Sequence, residues 1–582
     1  MAQRVIVLGG GVAGMTAAHE LAERGFEVTV YETRPDPGGK ARSMPTEPPV
    51  AGQPRPLPGE HGFRFFPGFY RHVPDTMKRI PFGDNKNGVF DNLVRSEQVE
   101  IARQGQSEMI APAHFPDDVD ELGEAFGFFF EYATQLGISL DDQIHFVNRL
   151  LLFLTSCDKR RVDEWEKQSW WEYSGASTRG AGYQKFLADG LTRSLVAAQA
   201  KEMSARTGAS ILIQLLFDMA QPGGQVDRVL CGPTSDVWIG PWFDLLEQLG
   251  VDYRLECQVQ SIEMDRGRVT GVKIVNHGKP FDDSADWYVS AVPVEVMDLL
   301  ASPEMRLADP GLAALSRLRT RWMNGIMFYL DRDVPLVRGH TIYIDSAWAL
   351  TSISQAQFWR NVDIEKFGDG KVNGILSVDI SDWYTPGTEK VKKQAMYCSR
   401  EQVAEEVWAQ LKASLDVEGQ QLLEDANVVS WFLDPAITYP NPIEAMNLEP
   451  LLINTAGSWP DRPQAATKIE NLFLASDYVQ TYTDLATMEG ANEAARRAVN
   501  GILDASGSSE KRCRLWKLHE PELFEPFKAL DRMLFELHLP PVELVGLDAG
   551  GMLRLHHVVN AMSDVEHFGE GVARRLLGLV GL

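Results

Sequence analysis

The sequence predicts an α/β fold in which a parallel sheet is assembled from segments far apart in the chain. The first observation is a short apolar strand, residues 5–8, followed at once by closely spaced glycines and a helix. The second is a pair of further apolar strands at 287–292 and 471–475. The third is a mostly helical region at 116–220. Together they indicate a sheet domain interrupted by inserted segments.

The composition is that of a globular protein and excludes a disordered or fibrous chain, with 44% hydrophobic and 24% charged residues among 582. The 56 Lys+Arg and 81 Asp+Glu give a net charge of −25, which argues against nucleic acid as a partner. Five scattered cysteines without a Cys-x-x-Cys pair favour a reducing compartment. Neither a signal peptide nor a membrane-spanning stretch of roughly 20 apolar residues is recognisable. We expect a cytoplasmic protein; peripheral membrane contact and the oligomeric state stay open.

The chain opens on a strand, a glycine turn and a helix. The turn reads Gly9-x-Gly11-x-x-Gly14. Its glycines permit a tight turn, close approach of a pyrophosphate and close packing of the helix on the strand. The helix start, with Val12 and Ala13, would then face the phosphate charge.

Glu32 ends the second strand of this βαβ unit, residues 26–31. A carboxylate there is placed to accept the hydroxyls of a ribose and would repel a 2′-phosphate. The glycine motif and Glu32 together predict a dinucleotide-binding site.

A second loop, residues 37–43, follows closely and combines two glycines with two cations. Gly38 and Gly39 would let this loop approach a cofactor, whereas Lys40 and Arg42 would face its phosphates.

A third segment lies far along the chain. The apolar strand at 472–475 is followed by Asp477, a loop, and a helix start that reads Ala-Thr-Met-Glu-Gly-Ala at 486–491. A helix N-terminus favours negative charge, so it suits a group that becomes anionic during reaction.

These segments resemble those of the flavin amine oxidase and carotenoid desaturase superfamily. Glu32-Thr33-Arg34 and the loop at 37–43 are similar to its FAD fingerprint. The stretch 60–68, Glu-His-Gly-Phe-Arg-Phe-Phe-Pro-Gly, resembles the segment against the isoalloxazine in plant-type phytoene and ζ-carotene desaturases and in hydroxysqualene dehydroxylases. The resemblance implies an FAD cofactor and a discontinuous Rossmann-type FAD-binding domain.

The resemblance also implies which residues contact FAD. By this resemblance, the backbone of Val259 contacts the adenine and Asp477 lies at the ribityl chain or the pyrophosphate. The helix that follows Asp477 points at the flavin pyrimidine. The implied cofactor-binding residues are Gly9, Gly11, Val12, Ala13, Gly14, Glu32, Thr33, Arg34, Gly38, Gly39, Lys40, Arg42, Gly62, Phe63, Arg64, Val259, Asp477, Thr487, Met488 and Ala491.

The sequence departs from the family at two positions. Arg64 stands where desaturases of the plant type usually have His, and Ser476 stands where the superfamily usually has Gly. We expect Arg64 to act at the flavin, with pairing to a structural carboxylate such as Glu60 as the alternative.

Two other groups carry weaker hypotheses. Trp170-Trp171 could form a substrate cage, but its spacing fits a helical core better. His556-His557 lacks the partners of a metal site, so we expect no metal.

The expected organisation has three parts. The FAD-binding domain comprises 1–75, 225–300 and 465–503. An inserted α+β substrate domain comprises 76–224 and 301–464, in which 116–220 is a mostly helical cover. The remainder, 504–582, is a helical C-terminal extension.

The expected activity is that of an FAD-dependent oxidoreductase. It would be a desaturase or dehydrogenase that transfers hydride from an apolar isoprenoid or polyene-like substrate to flavin N5. Oxygen or a quinone would accept the electrons. Two alternatives stay open: an amine or amino-acid oxidase, and a non-redox FAD-dependent isomerase or dehydroxylase.

Overall fold

The structure of the protein is a computed structural model. It describes residues 2–48, 50, 53–112, 133–190, 192–193, 199–219, 227–334, 336–360, 362–441, 444–543, 546–547 and 553–554. The first part of the predicted helical region, 116–132, and the His556-His557 pair lie outside these residues.

The chain divides into two compact units. The first comprises Met1–His114, Gln225–Ile453 and Pro460–Lys517, and the second comprises Phe115–Gly224, Asn454–Trp459 and Leu518–Leu582. The first unit therefore contains the segments that we assign to FAD binding together with residues 301–453 of the predicted substrate domain. The finer domain boundaries given above stay a prediction.

A five-stranded parallel sheet forms one part of the first unit, as predicted. Its strands pair in parallel because each is a short, fully apolar run that can be buried on both faces. In spatial order they are Asp252–Arg254, Glu27–Tyr31, Arg4–Leu8, Trp287–Ser290 and Leu472–Leu474. The helices Val12–Ala22 and Met488–Ala505 pack against each other beside this sheet.

A three-stranded antiparallel sheet follows the strand Asp252–Arg254. Its strands are Cys257–Asp265, Arg268–Asn276 and Lys279–Asp283. Gly267, with φ of 80°, makes the turn between the first two.

A seven-stranded mixed sheet forms the other part of the first unit. Its only parallel pair joins Gly339–Tyr343 to Gln98–Arg103 within the described residues. The helix Arg400–Leu415, which starts at a Ser399/Gln402 capping box, packs against this sheet. In spatial order the strands are Val428–Leu433, Asn324–Leu330, Gly374–Ile380, Leu350–Ser354, Gly339–Tyr343, Gln98–Arg103 and Gln106–Pro112.

Smaller elements complete the first unit. Its short sheets pair Ser43–Pro45 with Pro58–Glu60, Arg228–Leu230 with both Phe65–Phe66 and Leu93–Arg95, Arg319–Arg321 with Leu451–Ile453, and Ile437–Asn441 with Glu444–Asn447. Its further helices are His72–Met77, Gly240–Gln248, Val294–Leu300, Pro303–Ala308 and Pro310–Ala314.

The described residues of the second unit are mostly helical, and those between 133 and 219 agree with the prediction of a mostly helical region at 116–220. Trp170 is fully buried and packs against Phe146 and Tyr173, so it belongs to a core rather than to a cage. Of the predicted C-terminal extension, Glu525–Glu536 is helical, but 511–521 has no regular secondary structure. The α-helices are Leu140–Thr155, Asp158–Asp163, Trp170–Tyr173, Ala205–Met219 and Glu525–Glu536.

None of the helices within the described residues is long and apolar enough to cross a lipid bilayer.

Candidate active site

The two predicted glycine loops meet at the end of the parallel sheet. Gly11 and Gly38 form an isolated parallel bridge, and the Gly38 amide donates to the Gly10 carbonyl at 2.9 Å. A Cβ added to Gly39 would lie 2.9 Å from the Cα of Gly11. Glycine is therefore required where the loops touch, and the loops form one continuous backbone surface.

The helix Val12–Ala22 starts at this surface. No side chain of the described residues caps it, and its first turn carries no acidic residue. A Cβ added to Gly14 would lie 1.9 Å from the Gly9 carbonyl oxygen, so only glycine lets the helix pack on the turn. The first amides of the helix are thus available to an anion.

Glu32 lies beside the first loop and is buried, as a ribose-binding carboxylate should be. Its Oε2 accepts from the Gly10 amide at 2.7 Å and its Oε1 from the Arg34 amide at 2.9 Å. These two bonds fix the carboxylate and leave it further acceptor capacity. The Cys257 amide donates to the Glu32 carbonyl. The strand Cys257–Asp265, which contains Val259, therefore starts next to Glu32.

One of the two predicted cations of the second loop lies beside a carboxylate that was not predicted from the sequence. Buried Glu449 pairs with Arg34 and lies 3.5 Å from Arg42. Lys40 contacts the Pro450 carbonyl. The assignment of Lys40 and Arg42 to cofactor phosphates stays a prediction. Thr33 is exposed.

The segment 60–64 is held between the second loop and the mixed sheet. Arg64 Nη2 donates to the Lys40 carbonyl at 2.6 Å, and the Gly325 amide donates to the His61 carbonyl at 2.5 Å. Among the ion pairs of the described residues, none joins Arg64 to Glu60, whereas the Arg64 charge acts on the buried carboxyl of Asp379. A role at the flavin and pairing with a structural carboxylate both stay predictions for Arg64.

Asp379 lies behind this segment and is 7% exposed. Burial raises its pKa to about 7, although Arg64 and the backbone amide of Phe63 act in the opposite direction. An acidic residue inside the apolar strand Gly374–Ile380 is a sequence signal that could have identified it.

The third predicted region places Asp477 half-buried just after the strand Leu472–Leu474. Ser476 before it has φ of 149°, a conformation that favours glycine. Thr487 caps the helix Met488–Ala505 by accepting from the Gly490 amide at 3.1 Å. Met488 and Ala491 are half-buried at its start.

Glu489, in the same helix start, has a structural role. Its buried carboxylate accepts from the amides of Arg71, His72 and Val73 and from the His72 ring. The other nitrogen of that ring accepts from the Trp516 amide at 3.1 Å. The end of the first unit is thereby tied to the helix that starts at the predicted flavin site.

A pocket opens between the segment 60–64 and the strands around it. It encloses about 270 Å³ of empty space, including its open mouth. Its apolar walls come from Phe63, Val229, Leu230, Ile353 and Phe358.

The residues present fit FAD. The loop contact, the uncapped helix start and the fixed Glu32 carboxylate match the needs of a pyrophosphate and a ribose. These features lie within the first unit.

The family described as "Flavin containing amine oxidoreductase" matches residues 12–503 of the chain. The chain belongs to this family. It is an FAD-dependent oxidoreductase, and the predictions of family, cofactor and enzyme class are confirmed. This flavoprotein acts on a small-molecule substrate.

Two curated relatives and one solved structure illustrate the similarity. A zeta-carotene desaturase of Synechocystis is 25% identical over 544 residues, 86% of this chain and 97% of its own. A carotenoid phi-ring synthase of Chlorobaculum tepidum is 25% identical over 50% of this chain and 43% of its own. Cyclohexylamine oxidase from Brevibacterium oxydans shares the fold, with a TM-score of 0.56 and 12% identity over 87% of this flavoprotein and 100% of that chain.

Proposed function

We propose that this flavoprotein is a desaturase or dehydrogenase that takes hydride from a C–H bond of an apolar isoprenoid or polyene-like substrate. The observation that carries the proposal is the similarity to a zeta-carotene desaturase over 86% of this chain. That similarity extends far beyond the cofactor motifs, into the segments that we assign to the substrate side. The apolar walls of the pocket beside Phe63 agree with it.

Different residues would bind the cofactor and stabilise the charge that develops during the reaction. FAD, when bound, supplies the hydride acceptor at N5. Glu32 and the two glycine loops would hold its adenosine and pyrophosphate ends. Arg64, fixed by the Lys40 carbonyl, would place a cation where negative charge develops.

Anaerobic mixing of the holoenzyme with candidate substrates tests the proposal. A polyene or isoprenoid should bleach the visible absorbance of the flavin, and readmitted oxygen or an added quinone should restore it. Bleaching by amines or amino acids alone would make the protein an oxidase of those compounds. Turnover without any acceptor would make it a non-redox isomerase or dehydroxylase.

We also propose peripheral contact with a membrane, which would deliver an apolar substrate. Leu299 and Leu307, on the helices Val294–Leu300 and Pro303–Ala308, are 86% and 88% exposed. A contiguous exposed apolar patch can mark a membrane-contact site, and the proposal takes these two side chains as part of one. Flotation with phosphatidylcholine vesicles should weaken in Leu299→Asp/Leu307→Asp and not in the control Leu249→Asp.

A further inference from the structure

The ring of His61 is held by a buried carboxylate at one end and is free at the other. Its Nδ1 lies 2.6 Å from Asp434 Oδ2 and 3.6 Å from Glu449 Oε2. Its Nε2 makes no hydrogen bond within the part of the chain that the structure describes and is not sealed from solvent, although His61 is only 8% exposed. An ionised carboxylate beside Nδ1 favours the tautomer that carries its proton there. Nε2 is therefore the atom that can accept a further proton.

Asp434 is a fixed negative charge beside this ring. It is 1% exposed and directly follows the strand Val428–Leu433. Its Oδ2 accepts from Asn324 Nδ2 at 2.6 Å, and its Oδ1 accepts from the Ala436 amide at 2.9 Å. Burial acts to raise the pKa of Asp434, but His61 and these two donors together hold it below its ordinary value.

Charged groups of both signs surround the His61 ring. Burial lowers the pKa of His61, and the cations of Lys40 and Arg64 lower it further, whereas Asp434 acts to raise it. The pKa lies below its ordinary value, so the imidazole is neutral near pH 7. The titratable groups on the elements packed around the ring are Arg34, Lys40, Arg42, Glu60, Arg64, Asp379, Asp434 and Glu449.

We infer that His61 takes up a proton from solvent at Nε2 when the bound flavin is reduced, and releases it when the flavin is reoxidised. The inference rests on the placement of the segment 60–64 at the flavin, which the proposed function shares. Reduction delivers a hydride, which is two electrons and one proton, and leaves one added negative charge. Such a charge favours the protonated form of a nearby neutral imidazole. The balance is two electrons and two protons, one proton on the flavin and one on His61.

Redox titration of the substrate-free holoenzyme between pH 7 and pH 9, against dyes of known potential, tests the inference. Each proton taken up with two electrons lowers the midpoint potential of FAD by about 30 mV per pH unit. The wild type should show about 60 mV per pH unit over part of this range, and His61→Gln about 30 mV, because glutamine takes up no proton. His277→Gln makes the same change at an exposed hairpin turn and should keep the slope of the wild type.

Asp434→Asn provides a second variant. Without the carboxylate, His61 binds its proton more weakly, so the steep part of the plot should end at a pH at least one unit lower than in the wild type. A residue that only supports the fold would not move this pH. If His61→Gln fails to retain FAD, the wild type and Asp434→Asn still decide the question.

Two outcomes would overturn the inference. A slope of about 30 mV per pH unit in the wild type throughout this range would show that no second proton is taken up. Equal, steep slopes in the wild type and His61→Gln would assign the second proton to another group. Because no substrate is present, either failure leaves the proposed substrate class untouched, and failure of a polyene to bleach the flavin leaves this result untouched.

Discussion

The carboxylate of Asp379 lies directly against the backbone of Gly62. A Cβ added to Gly62 would lie 2.4 Å from Asp379 Oδ1, so the glycine is what allows an acidic side chain to reach the segment 60–64. The same oxygen has no hydrogen-bond partner among the described residues. A buried acid with one unpartnered oxygen beside the predicted flavin segment has consequences for both stability and pH dependence.

Asp379→Asn should flatten the dependence of stability on pH. The folded state raises the pKa of Asp379 from 3.8 to about 7, mainly through burial. Between these values the folded state holds a proton that the unfolded state releases, so stability falls as the pH rises through this window. The loss is on the order of a few kcal/mol.

Urea unfolding from pH 4 to pH 8 measures this slope. The exposed Asp282→Asn provides the control and should keep the slope of the wild type. Identical slopes in all three proteins would show that Asp379 ionises normally.

Arg64→Met should keep the fold and FAD but lower the rate of flavin reduction at least roughly tenfold, about 1.4 kcal/mol of barrier. The reason is the loss of a fixed cation where negative charge develops. Stopped-flow reduction of the holoenzyme measures the rate. Arg71→Met provides the control, because the side chain of Arg71 is exposed. Reduction at the wild-type rate would remove Arg64 from the mechanism; failure to hold FAD would make it structural.

Glu32→Ala should weaken FAD retention more than Glu27→Ala. Glu32 is fixed by two backbone amides beside the glycine loops, whereas Glu27 is exposed at the start of its strand. Loss of charged hydrogen bonds to a ribose should cost about 1–3 kcal/mol of binding free energy. Titration of the apoproteins with FAD measures the difference, and equal affinities would contradict the ribose assignment.

Ser476→Gly should stabilise the protein by about 1 kcal/mol, because glycine adopts a φ of 149° without the strain that a Cβ causes. Thermal unfolding of the FAD-loaded protein should show a higher midpoint. Ser506→Gly provides the control, since Ser506 has φ of −78° and gains nothing from glycine. A midpoint that falls in both variants would show that Ser476 is not strained.

The features that could be predicted from sequence are those that depend on neighbours in the chain. The glycine motif, Glu32 and the second loop carry their geometry locally, because a tight turn, a helix start and a strand end are short-range structures. The buried apolar runs likewise indicated the strands of the parallel sheet.

The features that could not be predicted come from distant pairings. Glu449 reaches Arg34 and Arg42 only because the chain returns to the second loop hundreds of residues later. Asp379 reaches Gly62 through the register of the mixed sheet, where it pairs with Gly325. No local periodicity encodes such contacts, although an acidic residue within an apolar strand was a signal for Asp379.

The order of strands in the parallel sheet also determines how late in its own synthesis the protein can bind FAD. The strands Arg4–Leu8 and Glu27–Tyr31 leave the ribosome first, but their sheet ends with Leu472–Leu474. At typical elongation rates the early strands wait roughly 20 to 90 s for that last strand. During this time their apolar faces and unpaired edges are exposed to the cell. We therefore expect the newborn chain to depend on chaperones, and a supply of flavin to matter only once translation is almost finished.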